Sequence, residues 1–322
     1  MNSVAIVSQD EKTRKYLEAK IIADTKDMSK IEWLKHRQAG IGGSDASCIA
    51  GLNPWKSAIQ LYMDKKEENP QEQKSLRMEL GNRLEGLVAE LFTEATGLKV
   101  RNVNGILKND KYPFAIANID RAVVGEKAFL ECKVTNSYSK KVWQMGVPIH
   151  YQIQVNHYMA VTGATHCYVA ALIGNEELII HRIDRDEEII DEIMKLEAMF
   201  WDKCILGGEI PAPDGSVDYS IVLQGLYKDS KDEELILFEQ EKLLDRYDEI
   251  TAIYKEIEVE RKKIEQYIQV QMKEYEVGFI GDRRITWKKQ SRNTIDTKKL
   301  KKEYPEIAAE CMKTTTSRVF RL

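Results

Sequence analysis

The chain has 322 residues, a formal net charge of −4 and 43% hydrophobic residues, which indicates a globular protein of two domains or of one domain with an appendage. No apolar run is long enough to span a bilayer and no secretory signal is visible, so the composition excludes a membrane protein and we expect a cytoplasmic location. Five scattered cysteines without a CxxC pair indicate a reducing compartment and argue against a zinc or iron–sulfur site.

Positive charge is concentrated towards the carboxyl end of the chain. Residues 278 to 322 contain twelve Lys and Arg against five Asp and Glu, a surplus of seven that leaves a net charge of −11 on the rest. Such a balance does not suit a general polyanion binder. Any contact with nucleic acid must therefore be local.

The first predicted elements are a short helix and a glycine-rich loop, after a segment, residues 1 to 28, to which the sequence assigns no role. Ser29 and Glu32 have the spacing of a capping box, which predicts a helix ending at Arg37. The run GIGGSDASCIAGL then places three glycines before Ser44. A loop leading into a helix offers free N–H groups and a dipole that favour a phosphate, and Arg37 could add a forked donor. An ordinary turn is the alternative.

Two further helices are predicted, over residues 57 to 67 and 78 to 97. The second carries apolar residues at helical spacing and ends at a glycine. Glu85 lies at the border of this apolar stripe, one turn after Gly81, and the glycine leaves room for a ligand to approach. A flanking surface glutamate is the simpler interpretation of this position.

The run FAIANIDRAVVGEKAFLECK, residues 114 to 133, predicts two strands joined by a tight turn at Gly125. Side chains alternate along a strand, so Glu131 and Lys133 share a face, and closure of the hairpin brings Asp120 beside them. Two carboxylates at one place repel each other unless a cation lies between them, and Mg²⁺ prefers such oxygens. A hairpin with polar side chains facing solvent is the alternative for this motif alone.

The chain continues with a helix that begins at Pro148. Gln154 and Tyr158 are one turn apart on it, so Gln154 could orient a water or a phosphate, or make a structural hydrogen bond. Two strands, HCYVAALI and ELIIHRID, follow. An amphipathic helix then closes at Gly207 and Gly208.

Beyond a linker over 208 to 215, two regions complete the chain. Residues 216 to 275 repeat apolar side chains every seven positions, which predicts a long helix that packs on its own domain or on another subunit. Residues 276 to 322 predict strands flanking a basic helix. Trp287 among basic residues suits a nucleic-acid or acidic-protein surface, although such charge runs are usually solvated faces.

The order of these segments resembles the YqaJ-like viral recombinase nucleases, relatives of lambda exonuclease in the PD-(D/E)XK superfamily. The resemblance covers residues 33 to 208 and rests on WLKHRQAGIGGSDASCIAGLNPW, the NRLEG helix, NIDRAVVG, FLECK and HYQIQVNHYMAVTG. It implies an α/β fold over residues 29 to 210, a PD-(D/E)XK (restriction-endonuclease-like) core with a central mixed sheet flanked by helices. A helical region and a small α+β unit would form a C-terminal extension.

The resemblance also implies a metal site. Asp120 and Glu131 would bind Mg²⁺ together with the backbone carbonyl of Cys132, and Glu85 would complete the acidic cluster through water or metal. Two Mg²⁺ ions are implied, with Mn²⁺ as the alternative ion.

Further roles follow from the same resemblance. Lys133 would activate or position the attacking water, and Gln154, preferred to Gln152 because Tyr158 lies four residues after it, would orient that water or the scissile phosphate. Arg37 and Ser44 match the positions that hold a 5′-terminal phosphate in lambda-type enzymes. Asn118 stands where that group can offer a hydroxyl, so preference for phosphorylated ends is less certain.

The function implied is a Mg²⁺-dependent 5′-to-3′ exonuclease that acts on double-stranded DNA ends and leaves 3′ overhangs for phage or prophage recombination. The resemblance further implies a RecT-like single-strand annealing partner and a homo-oligomer, a ring trimer, in the bacterial cytoplasm. The alternatives are an endonuclease of the same superfamily, an iron–sulfur nuclease, which the missing cysteine cluster disfavours, and a non-catalytic DNA-binding scaffold. Retention of Asp120, Glu131 and Lys133 disfavours the scaffold.

Overall fold

A computed structural model describes residues 14–70, 75–238, 240–313, 316 and 318–322. The chain divides into two compact units, one that ends at Leu226 and one that spans Tyr227–Leu322. The strands of the first unit are β1 (Lys15–Tyr16), β2 (Ala19–Asp24), β3 (Val100–Arg101), β4 (Gly105–Lys108), β5 (Ile116–Ala117), β6 (Arg121–Val123), β7 (Ala128–Thr135), β8 (His166–Ile173) and β9 (Glu177–Asp184). Its helices are α1 (Lys30–Gln38), α2 (Gly43–Ile49), α3 (Ala58–Lys66), α4 (Leu76–Thr96), α5 (Lys140–Met145), α6 (Ile149–Thr162), α7 (Glu187–Met199) and α8 (Val217–Leu226).

The first unit is organised around a five-stranded sheet with the order β3-β6-β7-β8-β9. Strands β7 and β8 run parallel, and the other neighbours are antiparallel. Parallel neighbours need a crossover connection, and α5 and α6 supply it here. The mixed sheet flanked by helices that the sequence predicts is therefore confirmed.

Helices cover both faces of this sheet because successive side chains of β7 point to opposite sides. Leu130 packs with Val88 and Phe92 of α4, whereas Phe129 packs in the core cluster that contains Val155 of α6. Each such side chain contributes about 1.5–3 kcal/mol when it is fully buried. The alternation puts Glu131 on the same side of the sheet as α6.

A second, four-stranded sheet has the order β1-β2-β4-β5 and is antiparallel. Residues 1 to 28, to which the sequence assigned no role, supply two of its strands, while residues 1 to 13 lie outside the described part of the chain. The Tyr16 hydroxyl donates to the Ala128 carbonyl at 2.7 Å, which ties this sheet to the larger one. The amino-terminal segment is thus part of the first unit.

The predicted hairpin differs in one respect. Its first strand is interrupted: Ile116–Ala117 belongs to the smaller sheet and Arg121–Val123 to the larger one, so residues 118 to 120 cross between the two sheets. The turn is as predicted, with a φ of +89° at Gly125. Asp120 therefore lies at a crossing point and not within a continuous strand.

Most predicted helix limits in the first unit are confirmed. The capping box of α1 forms, α6 lies between Pro148 and a left-handed Gly163, and α7 continues as a π-helical segment, Phe200–Leu206. The apolar stripe of α4 is only partly buried, since Val88 and Phe92 lie in the core but Leu80 and Leu87 are each 43% exposed. In the described residues, no helix is long and apolar enough to cross a membrane.

The second unit contains one long helix and small peripheral elements. They are α9 (Glu241–Met272), β10 (Val277–Ile280), β11 (Arg283–Thr286), α10 (Thr297–Glu303) and α11 (Pro305–Glu310). The heptad region predicted over 216 to 275 is divided, because α8 lies in the first unit and residues 227 to 238 form no helix. The predicted basic helix breaks at Pro305, whose ring disfavours helical geometry in the residue before it. Residues 318–322, predicted as a strand, form none.

Candidate active site

Three of the predicted site residues meet between β7 and α6. The Lys133 ammonium donates to Glu131 Oε1 at 2.7 Å and to Gln154 Oε1 at 3.3 Å. The Gln154 amide donates in turn to Glu131 Oε1 at 2.7 Å and to the Tyr158 hydroxyl at 3.3 Å. Gln152, the competing glutamine, bonds instead to the Val147 carbonyl. Gln154 therefore lies beside Lys133 and Glu131, whereas Gln152 makes no hydrogen bond to them in the described residues, and the role of Gln154 stays a prediction.

Asp120 lies opposite Glu131, as the antiparallel register of β6 and β7 requires. Its Oδ2 accepts a hydrogen bond from the backbone N–H of Cys132 at 2.7 Å. Burial raises the pKa of Asp120, and the nearby charges of Glu131 and Glu85 raise it further. The protein by itself therefore destabilises the ionised form of this carboxyl.

Glu85 reaches the same cluster from α4 and is held there by a residue that the sequence reasoning missed. The Arg121 guanidinium donates to Glu85 Oε1, and it also donates to the carbonyl of Asp120 at 2.7 Å. Arg121 directly follows Asp120, so one crossing segment supplies both a carboxylate and the cation that fixes its neighbour. Nothing in the local pattern of the sequence pairs Arg121 with a residue 36 positions earlier.

The acidic residues fit a divalent cation. Glu131 is 2% exposed, and its Oε2 is buried without a hydrogen-bond partner among the described residues. An unpaired buried carboxylate oxygen is costly, and a cation between it and Asp120 would remove that cost. No ready-made cluster of three or more His, Cys, Asp and Glu ligands occurs in the described ranges. The ligand role of the Cys132 carbonyl stays a prediction.

Lys133 is fixed from two sides. Its ammonium lies 4.6 Å from the ring centroid of Tyr151, and that ring stacks on the buried Trp143 with centroids 5.6 Å apart. Burial lowers the pKa of Lys133, but the attraction of Glu131 and Asp120 outweighs it and the net pKa is raised. The protein alone thus favours the charged form of Lys133. Tyr151 was not among the predicted site residues.

The glycine loop contains a buried ionic network. Arg37 donates to Ser44 Oγ at 3.1 Å and to Asp45 Oδ1 at 2.5 Å, while the Lys65 ammonium donates to Asp45 Oδ2 at 2.8 Å. Burial would raise the pKa of Asp45, but Arg37 and Lys65 lower it more, so its pKa lies well below the ordinary value. The guanidinium of Arg37, which the sequence predicts to bind a phosphate, therefore already donates hydrogen bonds within the protein.

Two glycines allow close approaches of this loop, Gly42 to Arg37 of α1 and Gly43 to α6. A β-carbon on Gly42 would lie 3.1 Å from the Arg37 guanidinium, and one on Gly43 would lie 2.5 Å from the ring of Tyr158. Tyr158 also accepts a hydrogen bond from Gln154, so it contacts both the glycine loop and the carboxylate cluster.

Arg37 and Ser44 border a cleft of about 730 Å³ that Lys56 and Lys65 also line. Asn118 does not line this cleft, and its amide donates at 3.4 Å to the Gly105 carbonyl. The structure thus brings two of the three predicted phosphate-binding residues together.

Comparisons with known proteins agree with the sequence motifs. Residues 32–165 match the YqaJ-like viral recombinase domain. A protein of Bacillus subtilis (strain 168), uncharacterized protein YqaJ, is 40% identical over 308 residues, which are 94% of this chain and 97% of that protein.

Solved structures are similar at a lower level. The alkaline exonuclease LHK-Exo of Laribacter hongkongensis aligns with a TM-score of 0.47 and 18% identity, covering 61% of this chain and 98% of that one. A phage-related exonuclease of Haemophilus somnus 129PT aligns with a TM-score of 0.42 and 15% identity, covering 53% of this chain and 96% of that one.

Proposed function

This chain belongs to the YqaJ-like viral recombinase family, and from that premise we propose that it is a divalent-cation-dependent exonuclease for double-stranded DNA. The observation that carries the proposal is the cluster of Asp120, Glu131 and Lys133. Its carboxylates are poorly compensated by the protein, and one buried oxygen of Glu131 has no partner in the described residues. A cation that binds there would also contact the phosphate of a substrate.

Asp120 and Glu131, with the Cys132 carbonyl and Glu85, are the residues that would hold two Mg²⁺ ions, or Mn²⁺ in their place. When bound, such ions lower the pKa of a water and offset the charge that develops on the phosphoryl oxygens. Two observations support this role: Lys133 donates to Glu131 Oε1, and the buried Glu131 Oε2 has no hydrogen-bond partner among the described residues.

Lys133 and Gln154 act on the attacking water in this proposal. The ammonium of Lys133 is held by Glu131 and by the ring of Tyr151, so it can position a water or hold and release a proton at Nζ. The amide of Gln154 is fixed between Glu131 and Tyr158, which orients it for the same water or for the scissile phosphate.

The proposed direction of digestion rests on the glycine loop and its phosphate-binding candidates. Arg37 and Ser44 would bind the 5′-terminal phosphate, so digestion would proceed 5′ to 3′ and leave 3′ overhangs. A RecT-like annealing protein would consume these overhangs during phage or prophage recombination. A ring trimer formed by the first unit, as the resemblance implies, would keep the enzyme on the duplex.

The test is digestion of linear duplex DNA labelled at either the 5′ or the 3′ end, beside a closed circle, in Mg²⁺ or in EDTA. We expect Mg²⁺-dependent loss of the 5′ label from linear DNA only, and loss of this activity in Lys133→Ala. The matched control is Lys140→Ala, which removes a partly exposed lysine that pairs with Glu177 at 3.1 Å. Cutting of the circle would favour the endonuclease, and DNA binding without digestion would favour the scaffold.

A further inference from the structure

Helix α9 exposes an apolar seam along its length. Six large apolar side chains lie on one face of this helix, at spacings of four, three, four, three and seven residues. Each is between 48% and 66% exposed. They are Leu243, Tyr247, Ile250, Tyr254, Ile257 and Ile264. A 32-residue helix spans about 48 Å, so the seam is a long stripe and not an isolated patch.

Two other apolar features lie at opposite ends of this helix. Leu235 to Phe238 precede its start and are strongly exposed, whereas a groove lined by Met272, Phe279 and Ile285 lies where β10 and β11 fold against its end. Residues 235 to 241 span at most about 21 Å when fully extended. The two helix ends are about 45 Å apart. The apolar segment of one chain therefore cannot reach the groove of the same chain.

Net charge also differs between the two ends of this region. Residues 227 to 256 carry a net charge of −5, and residues 257 to 292 carry +3. If two copies of α9 paired in parallel, ends of like charge would meet. If they paired in the antiparallel direction, each acidic end would lie beside a basic end.

We propose that α9 binds α9 of a second copy of this chain in the antiparallel direction, and that residues 235 to 238 of each copy dock in the partner copy's groove. With the centre of the pairing between Tyr254 and Ile257, Leu243 faces Ile268 of the opposite helix. That register brings residues 227 to 238, which carry a net charge of −2, onto the β10–β11 hairpin and the basic residues that follow it. A two-stranded hairpin is marginally stable alone, and the docked segment would cover its apolar face.

The first experiment measures the mass of the full chain by light scattering and sedimentation at several concentrations. We expect Ile257→Arg to halve the mass and to raise the dissociation constant at least about tenfold. Val259→Arg is the matched control, since Val259 is equally exposed on the same helix but two residues away, on the opposite face. The comparison of the two variants does not depend on the oligomeric state of the first unit. Loss of α9 pairing halves the mass whether the first unit is a monomer or a trimer.

The second experiment tests direction. Nitroxides are attached at Lys242→Cys in a chain that carries Cys311→Ser, because Cys311 is the exposed native cysteine. Antiparallel pairing places the two labels about 40 Å apart along the axis, whereas parallel pairing places them within about 15 Å. The chain with Cys311→Ser alone supplies the background signal.

The third variant removes the docking segment by Leu237→Ser and Phe238→Ser together. We expect weaker association with no loss of folding, because both side chains are already exposed within the single chain. Several outcomes overturn the proposal: a mass unchanged by Ile257→Arg, equal effects of Ile257→Arg and Val259→Arg, a short nitroxide distance, or no weakening by the double substitution. None of these readouts requires nuclease activity, so the proposed function and this inference can fail separately.

Discussion

Two buried carboxyl groups of the first unit, Asp45 and Asp120, have pKa values that are shifted in opposite directions. Asp45, in the glycine loop, accepts hydrogen bonds from Arg37 and Lys65 and also from the backbone N–H of Gly42. Asp120, in the carboxylate cluster, accepts one backbone hydrogen bond and faces Glu131. The pKa of Asp45 is lowered and that of Asp120 is raised.

The difference separates a carboxylate whose charge the protein compensates from one whose charge it compensates incompletely. At Asp45 the protein supplies its own cations, so the charge is compensated before any ligand arrives. At Asp120 the compensation is incomplete, and the missing positive charge must come from outside the chain or the group must stay protonated. A buried acid without sufficient internal cations is therefore a better candidate metal ligand than a buried acid within a closed ion network.

The largest expected effect is on activity, from Asp120→Asn. The amide keeps the shape of the side chain but loses the charge that would hold the cation, so nuclease activity should fall by about 10³-fold or more, which corresponds to a barrier higher by about 4 kcal/mol or more. The melting temperature should stay the same or rise, because a poorly compensated charge has been removed. Digestion rates and thermal melts of the same preparation check both points.

Asp110→Asn supplies the control for that variant, since it changes an exposed acid that pairs with Lys20. Loss of folding in Asp120→Asn, with a lower melting temperature than the control, would contradict the assignment of Asp120 as a ligand.

The next effect is on stability, from Asp45→Asn. This change leaves the charges of Arg37 and Lys65 without their shared partner, and breaking a buried pair costs about 3–5 kcal/mol. Chemical denaturation should show this loss. Asp64→Asn is the matched control, because Asp64 pairs with Lys56 at a site that is about one-third exposed and should cost about 1 kcal/mol or less. Equal losses in the two variants would remove the distinction between Asp45 and a surface acid.

A smaller effect should follow from adding Mg²⁺ without DNA. A cation that binds the folded state alone stabilises it, by about 2.7 kcal/mol when its concentration is one hundred times the dissociation constant. We expect Mg²⁺ to raise the melting temperature of the wild type and of Asp45→Asn, and to leave that of Asp120→Asn unchanged. A shift that persists in Asp120→Asn would place the cation elsewhere.

The same comparison shows what the sequence could predict. The alternation of FLECK and the turn at Gly125 put Asp120, Glu131 and Lys133 together, since these are local rules of strands and hairpins. The ion network of the loop was not predicted, because Lys65 lies 20 residues from Asp45 and on a different helix. Local periodicity carries no information on such distant partners.

Two more features of the structure were not predicted for the same reason. The Nδ1 of His157 lies 2.7 Å from Glu197 Oε1, a residue 40 positions away on α7, and no local pattern links the two. The strand predicted before Gly125 reads as one continuous run, yet it crosses between two sheets because β5 pairs with β4 and β6 pairs with β7. Tertiary pairing, which the local pattern does not encode, decided both.

The smallest expected effect is a pH dependence that belongs to Asp45. Its folded-state pKa is lowered, so its ionised form contributes stability above the unfolded pKa of about 3.9, and that contribution is lost as pH falls below this value towards the folded pKa. The difference in unfolding free energy between wild type and Asp45→Asn should therefore be constant near pH 6 and shrink by up to about 1.4 kcal/mol per pH unit below pH 4. Urea denaturation in Mg²⁺-free buffer measures it, because the difference between the two proteins cancels the titration of the other carboxylates. A difference that stays constant down to pH 3 would mean that Asp45 is not held ionised by Arg37 and Lys65.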